Sequence, residues 1–407
     1  MASEVVFVES NLTGYNAIAL SLARERGYRT HFVARTRQDY EGMSPDVLGL
    51  ADRVSVVDTY DTGKLLWLVS QRQVRGMVAV DDYRLIPTAC VARELGLPHA
   101  DVSGLVNTHF KDRARALTNE VGDPVRGVVV SREDAGDRSP LGYPCVVKPI
   151  DDSGSTGVRV CHGDEDYRDA LARAAAVQVN LRGYTCAPSL LVEEWVPGVE
   201  YTAECLWDTE RHRWQLVGYT KKLLGPPPFP IETGAVFPYF FPEELDSAIE
   251  RTVYGWLAAT GHRYGSAHVE FKVDGDRVRL IEINPRLGGD QIRDLIKISS
   301  GFDTIDAYLR LYLGERVAVR RAPSAGRVAT ILFKLPEAPG LYQCQEPDSA
   351  DFPGYVRSSF SKTPVEIRSL RDNDDRLGYV ITLGADVEES EARARRYVDA
   401  VRAERLS

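Results

Sequence analysis

The residues best suited to chemistry fall in one stretch, Glu270 followed by Glu282-Ile283-Asn284-Pro285-Arg286. Ala267–Val273 and Arg277–Asn284 read as the two arms of a hairpin turning at Asp274-Gly275-Asp276. Side chains alternate faces along a strand. If Val273 pairs with Arg277 across a three-residue loop, Glu270 faces Leu280, and Glu282 and Asn284 continue along the same face. Two carboxylates and an amide oxygen then converge. Magnesium takes such hard oxygen donors while keeping part of its water. A two-residue loop would shift the pairing by one and send the glutamates to opposite faces, so the metal site depends on register.

A second segment is Leu191-Val192-Glu193-Glu194-Trp195-Val196-Pro197-Gly198-Val199-Glu200. An extended backbone leaving a strand offers N–H and C=O groups to a base edge, while apolar side chains enclose the ring. Glu200, past the Pro-Gly turn, is placed to reach ribose hydroxyls. The third feature is a set of separated cations: Lys111, Lys148, and one of Lys221 or Lys222. A triphosphate needs positive groups from several elements and backbone donors from a mobile loop. Ser153-Gly154-Ser155-Thr156-Gly157 has the composition of that loop, although it is not GxxxxGK[ST] and so is not a P-loop.

Positioning these groups takes several elements. Strand and helix signals alternate from Val5–Val8 through Gly76–Val80 and the helical Arg84–Leu95, which implies βαβ units and a parallel sheet. Only Gly14 follows the first strand, so there is no dinucleotide fingerprint. Val146–Pro149 and Leu190–Glu194 read as strands, and Tyr201–Trp207 pairs with Trp214–Thr220. The four prolines of Leu224–Pro230 exclude a central strand or helix there. Phe237–Phe241 is either a lining for an apolar substrate or plain core.

The 407 residues imply more than one domain, expected at 1–105, 106–320 and 321–407. The formal charge of −9 gives no basic face for nucleic acid. No apolar run reaches the ~18 residues of a membrane helix, and the first residues lack a secretory signal's charged start and long apolar stretch. The six cysteines contain no CxxC pair. They are expected to be reduced, in a cytoplasmic protein.

Taken together, these segments resemble the ATP-grasp superfamily of carboxylate–amine ligases from roughly Lys111 to Arg286. The run Glu282–Asp290 looks most like the L-amino-acid ligases, which make dipeptides and related amides. The resemblance implies an α/β and α+β molecule: a doubly wound parallel-sheet domain, an ATP-grasp domain and a small C-terminal α+β domain. It implies ATP with magnesium or manganese, small-molecule amino acid or carboxylate and amine substrates, and the homodimers common in such families. By the resemblance, Lys111, Lys148 and Lys221 or Lys222 hold phosphates, and Ser153, Gly154, Ser155 and Gly157 cover them. Glu193, Glu194, Trp195 and Val196 bind adenine, Glu200 binds ribose, and Glu270, Glu282 and Asn284 carry the metal. Arg286 contacts the γ-phosphate and the acyl-phosphate, and His268 reaches the reacting carboxylate. Glu232, Thr233, Gly234, Gly288 and Gly289 meet substrate, with Ser10–Gly14 near the second one. The C-terminal Asp375–Val380 segment also resembles glycinamide ribonucleotide synthetase and biotin carboxylase, which leaves those acceptors as the rival reading. A nucleotide-binding module without turnover is a further one.

Overall fold

An apolar run without alternation suits a strand covered on both faces, and Val5-Val6-Phe7-Val8 forms one. In the computed structural model, which describes residues 3–406 apart from 12, 13, 44, 133–135, 227, 324, 325, 368, 369, 371 and 372, every residue of β1 (Glu4–Val8) is buried. The chain continues through α1 (Tyr15–Glu25), β2 (Arg29–Ala34), α2 (Val47–Leu50), β3 (Arg53–Val56), α3 (Thr62–Ser70), β4 (Val74–Val78) and α4 (Leu85–Glu94). The strands form a parallel sheet in the order β3-β2-β1-β4. Val5 and Phe7 pack toward Leu20 and Ala23 of α1, whereas Val6 and Val8 pack toward Leu65 and Val69 of α3. Helices thus cover both faces. The chain leaves β4 through Asp81, Asp82 and Tyr83, at the strand end where open parallel sheets bind ligands.

Two short helices, α5 (Val102–His109) and α6 (Lys111–Thr118), lead to a second sheet. It is antiparallel, built from β5 (Gly127–Ser131), β6 (Cys145–Pro149), β7 (Arg159–Cys161) and β8 (Ser189–Glu194) in the order β5-β8-β6-β7. The amphipathic α7 (Asp164–Ala176) buries Tyr167, Ala170 and Leu171 against Cys145, Val147, Leu190 and Val192. The Gly/Ser segment joins β6 to β7.

The largest sheet has eight strands. It takes β9 (Val199–Asp208), β10 (Arg213–Leu224), β11 (Glu232–Tyr239), β12 (Ser266–Asp274), β13 (Arg277–Asn284), β14 (Val328–Lys334), β16 (Tyr355–Phe360) and β18 (Gly378–Gly384) in the order β13-β12-β9-β10-β11-β14-β18-β16. A three-stranded sheet of β15 (Gly340–Gln345), β17 (Val365–Ile367) and β19 (Arg402–Arg405) lies beside it in sequence. The helices are α8 (Glu243–Ala259), α9 (Ile292–Ser300), α10 (Thr304–Tyr312) and α11 (Val387–Ala400). Because β14, β16 and β18 lie beyond residue 320, the sheet runs across the boundary expected there.

Phe237 is fully buried, and Tyr239 and Phe241 each sit 4.8 Å from the Tyr201 ring. Phe237, Tyr239 and Phe241 are therefore core packing rather than substrate lining, while Phe240 is exposed. All six cysteines are free, Cys145 and Cys161 facing each other across β6 and β7. No described helix is long and apolar enough to cross a membrane.

Candidate active site

The β12–β13 hairpin differs from the expected register and still reaches the expected result. Asp274 pairs with Arg277, so the loop is two residues, Gly275 and Asp276. The ladder runs regularly to Phe271 opposite Leu280, which alone would put Glu270 and Glu282 on opposite faces. A β-bulge intervenes: Ile281 is skipped, and Glu270 meets Glu282 directly, followed by Val269 with Ile283 and His268 with Asn284. Directly opposed residues share a face, so both carboxylates and Asn284 point into one cavity.

That cavity measures about 610 Å³ and is lined by Lys111, Lys148, Lys222, Glu270, Glu282 and Arg286 among others. Lys111 Nζ lies 3.3 Å from Glu282 Oε1 and also donates to the carbonyl of Asp152. Lys148 Nζ lies 2.6 Å from Glu193 Oε2. Strand alternation resolves the lysine pair on β10. Lys221 faces away, 3.0 Å from Glu391 on α11, and is not a phosphate ligand here. Lys222 sits among three carboxylates, Glu200 at 2.8 Å, Glu270 at 2.9 Å and Glu232 at 3.0 Å. Burial works against its charge, but Glu200, Glu232 and Glu270 outweigh it and hold its pKa well above the ordinary value. Burial also pushes Glu270 upward, yet Lys222 and His268 bring it well below the usual carboxylate range.

Arg286 is anchored by a residue of the first sheet's edge. Its Nε donates to Asp82 Oδ1 at 2.7 Å and Oδ2 at 2.8 Å, and its Nη2 lies 3.5 Å from Asn284 Oδ1. Burial opposes the charge; Asp82, with Glu270 and Glu282 beyond it, keeps the guanidinium cationic. His268 lines the cavity, but protein carboxylates engage both ring nitrogens, Glu204 at 2.8 Å and Glu270 at 3.4 Å. Despite burial, Glu204 and then Glu270 raise its pKa to about 10, so it acts as a fixed cation bracing Glu270. To reach the reacting carboxylate, as the resemblance implies, the ring would have to give up one of these two partners. Gly288 packs on the same ring: a Cβ there would stand 2.9 Å from His268 Nδ1 and 3.0 Å from Glu204 Oε2. It does not line the main cavity, whereas Gly289 does.

Of the 232–234 segment only Glu232 reaches the cavity. Thr233 bonds to Leu223 O, and Gly234 packs against Ile331 O, because both belong to the β10–β11–β14 ladder. Burial, with Asp290 and Glu270 adding and Lys222 opposing, raises Glu232 to about 7. Asp290 is gripped by both Arg376 Nη atoms, at 2.9 and 2.8 Å. Arg376 lies in the C-terminal segment already noted in the sequence.

Glu193 also departs from expectation. Its carboxylate lines the cavity but is taken by Arg115 Nε and Lys148 Nζ, each at 2.6 Å. These two cations overcome burial and depress its pKa. Glu194, Trp195, Val196 and Glu200 line the cavity. Glu194 pairs with Arg126 at 2.9 Å, and Lys272 donates to Val196 O at 3.1 Å while lying 5.5 Å from the Trp195 ring. Ser153, Gly154 and Ser155 line the cavity, with Gly154 at φ 69° and Ser155 at φ 62°. Gly157, at φ 72°, lies behind them against Pro149. Asn11 lines the far wall, while Leu12 and Thr13 of the expected second-substrate loop fall outside the described residues.

Sequence reasoning missed Asp82 and Arg115. Asp82 follows a parallel strand at its ligand-binding end. Arg115 lies four residues after Lys111, on the same helix face. Both signals were present.

Among the described residues no group of three or more His, Cys, Asp and Glu side chains is arranged to hold a metal. The donors here are two carboxylates and an amide. This set fits magnesium, which binds through one or two carboxylates, its own water and substrate phosphates.

The chain matches the ATP-grasp domain over residues 141–294 and the L-amino acid ligase C-terminal domain 2 over residues 347–404. The chain therefore carries an ATP-grasp domain followed by an L-amino acid ligase C-terminal domain, the domains of a ligase that forms carbon–nitrogen bonds. Uncharacterized protein y4rH of Sinorhizobium fredii is 26% identical over 86% of this chain and 74% of its own length. Carnosine synthase 1 of Gallus gallus is 31% identical over 42% of this chain, which spans only 19% of that protein's length. The crystal structure of L-amino acid ligase from Bacillus licheniformis shares the fold, with a TM-score of 0.83 at 20% identity over 100% of this chain and 99% of that one.

Proposed function

We propose that the protein is an ATP-dependent ligase joining an amino acid, or a related carboxylate, to an amine in a dipeptide-type amide bond. The observation that carries this reading is the opposition of Glu270 and Glu282 on one face of the hairpin, beside Asn284 and Arg286. The L-amino acid ligase C-terminal domain favours an amino acid acceptor over a nucleotide precursor or bicarbonate.

A carboxylate is a poor acyl donor because its leaving group is oxide. In the first step a carboxylate oxygen of the substrate attacks the γ-phosphorus of ATP. The bond from that phosphorus to the bridging oxygen breaks, and ADP leaves. In the second step the amine nitrogen attacks the acyl carbon, inorganic phosphate departs with the former carboxylate oxygen, and the nitrogen loses a proton. Glu270, Glu282 and Asn284 hold a divalent ion, which when bound neutralises charge on the phosphates. Lys111 and Lys148 bind phosphate oxygens, exchanging contacts they now make with Glu282 and Glu193. Arg286, fixed by Asp82, stabilises charge on the transferring phosphoryl group. The Ser153–Gly157 loop covers the phosphates and excludes water, which would hydrolyse the acyl-phosphate. Lys222, held among three carboxylates, secures the wall from which Glu200 reaches the ribose.

The test is ADP release with pairs of amino acids, together with hydroxylamine added to trap an acyl-phosphate as the hydroxamate. Hydroxamate that depends on one amino acid, and amide that depends on two, is the expected result. ATP turnover without either product would refute the reading.

A further inference from the structure

We propose that Arg115 is a positioning residue for the Glu270–Glu282 pair, because it holds the β-bulge at Ile281 that puts both carboxylates on one face. This rests on the metal-binding role given to those glutamates above. Arg115 does not line the cavity, so it acts through other groups. Its Nη1 donates to Leu280 O at 2.8 Å and its Nη2 to Ile281 O at 3.2 Å. Leu280 is the last residue of the regular ladder before the bulge, and Ile281 is the residue skipped. Lys148 Nζ adds a contact to Ile281 O at 3.3 Å.

A bulge interrupts the ladder and leaves backbone groups that must find partners elsewhere. A planar guanidinium can meet two successive carbonyls and still use Nε for a third contact. An ammonium has no such fork. Here that third contact is Glu193 at 2.6 Å, which fixes the plane of the guanidinium. Lys111, one helical turn earlier on α6, touches Glu282 itself. One helix face therefore controls both the path of the strand and the carboxylate it carries. Without the bulge, the two-residue turn would return Glu282 to the opposite face of the sheet.

The experiment uses the full chain with Mn²⁺ as probe. Free Mn²⁺ is followed by electron paramagnetic resonance in the presence of ADP, for the parent, Arg115→Met, Arg115→Lys and Glu282→Gln. Near-UV circular dichroism checks that each is folded. Groups that orient metal ligands change metal affinity by about 10- to 100-fold when removed. Arg115→Met is accordingly expected to weaken Mn²⁺ binding at least tenfold, and Glu282→Gln to weaken it as much or more. Arg115→Lys, which reaches one carbonyl, should fall between parent and Met. It supplies the comparison if Arg115→Met does not fold. Loss in Glu282→Gln with near-parent affinity in both folded Arg115 variants overturns the role of Arg115 alone. Parent affinity in Glu282→Gln removes the metal pair itself, and this proposal with it.

Discussion

The β6–β7 and β12–β13 hairpins both supply the cavity, by different means. The first keeps a regular ladder, Cys145 opposite Cys161 and Val146 opposite Val160, and, apart from Lys148 on β6, carries its polar residues in the long loop between strands. The second has a two-residue turn and carries its polar residues on the ladder, where a single skipped residue decides which face they occupy. A loop's capacity to wrap phosphate follows from local composition and backbone freedom. A pair of side chains on a ladder depends on register, set by the turn, the bulge and whatever caps the bulge. The first should tolerate change gradually and the second should fail abruptly.

The largest effect is expected on the ladder. Glu282→Ala should lower ATP turnover by roughly 10³-fold, the scale of removing a principal electrostatic stabiliser; ADP release at near-parental rate would contradict the ladder site. Arg286→Ala should cost about 10²-fold in kcat, and Asp82→Asn should cost less, because the guanidinium persists but loses its charged anchor; steady-state rates at saturating ATP rank them. In the loop, Gly157→Ala places a Cβ 3.2 Å from Pro149 Cγ at φ 72°. Strain of this kind costs about 1 kcal/mol, so KM for ATP should rise by less than about tenfold. A Gly157→Ala loss as deep as that of Glu282→Ala would erase the contrast between the hairpins. The smallest effect is expected for Lys221→Ala, which breaks one partly buried pair with Glu391 away from the cavity. Such pairs contribute ~0–1 kcal/mol, so activity should stay near parental, while Lys222→Ala, stripping the charge from among three acids, should not.

Much of the architecture was legible in the chain. The unalternating Val5–Val8 run and its helix spacing announce a parallel sheet, and the Asp274-Gly275-Asp276 turn announces the β12–β13 hairpin, though not its two-residue loop. The Gly/Ser loop and Lys148 were visible for the same reason, since propensity and turn chemistry act over a few residues. Lys221 and Lys222 could not be separated, because period-two alternation says only that they face opposite ways. The ion pairs of Glu193 are not legible locally, because its partners, Arg115 and Lys148, come from different elements. The ladder positions of Thr233 and Gly234 are likewise not legible, because nothing local shows that β11 lies inside an eight-stranded sheet.

By itself the sequence determined which residue types were available, in what order, and which short stretches would become strands, helices and turns. Those properties arise from steric and hydrogen-bonding preferences within a few residues. Tertiary structure decided which charges meet: Arg286 with Asp82, Arg376 with Asp290, Lys222 with Glu200, Glu232 and Glu270. It also decided the face of Glu282, because the energy of a bulge depends on its carbonyls finding donors, and the donor came from a helix some 165 residues earlier in the chain.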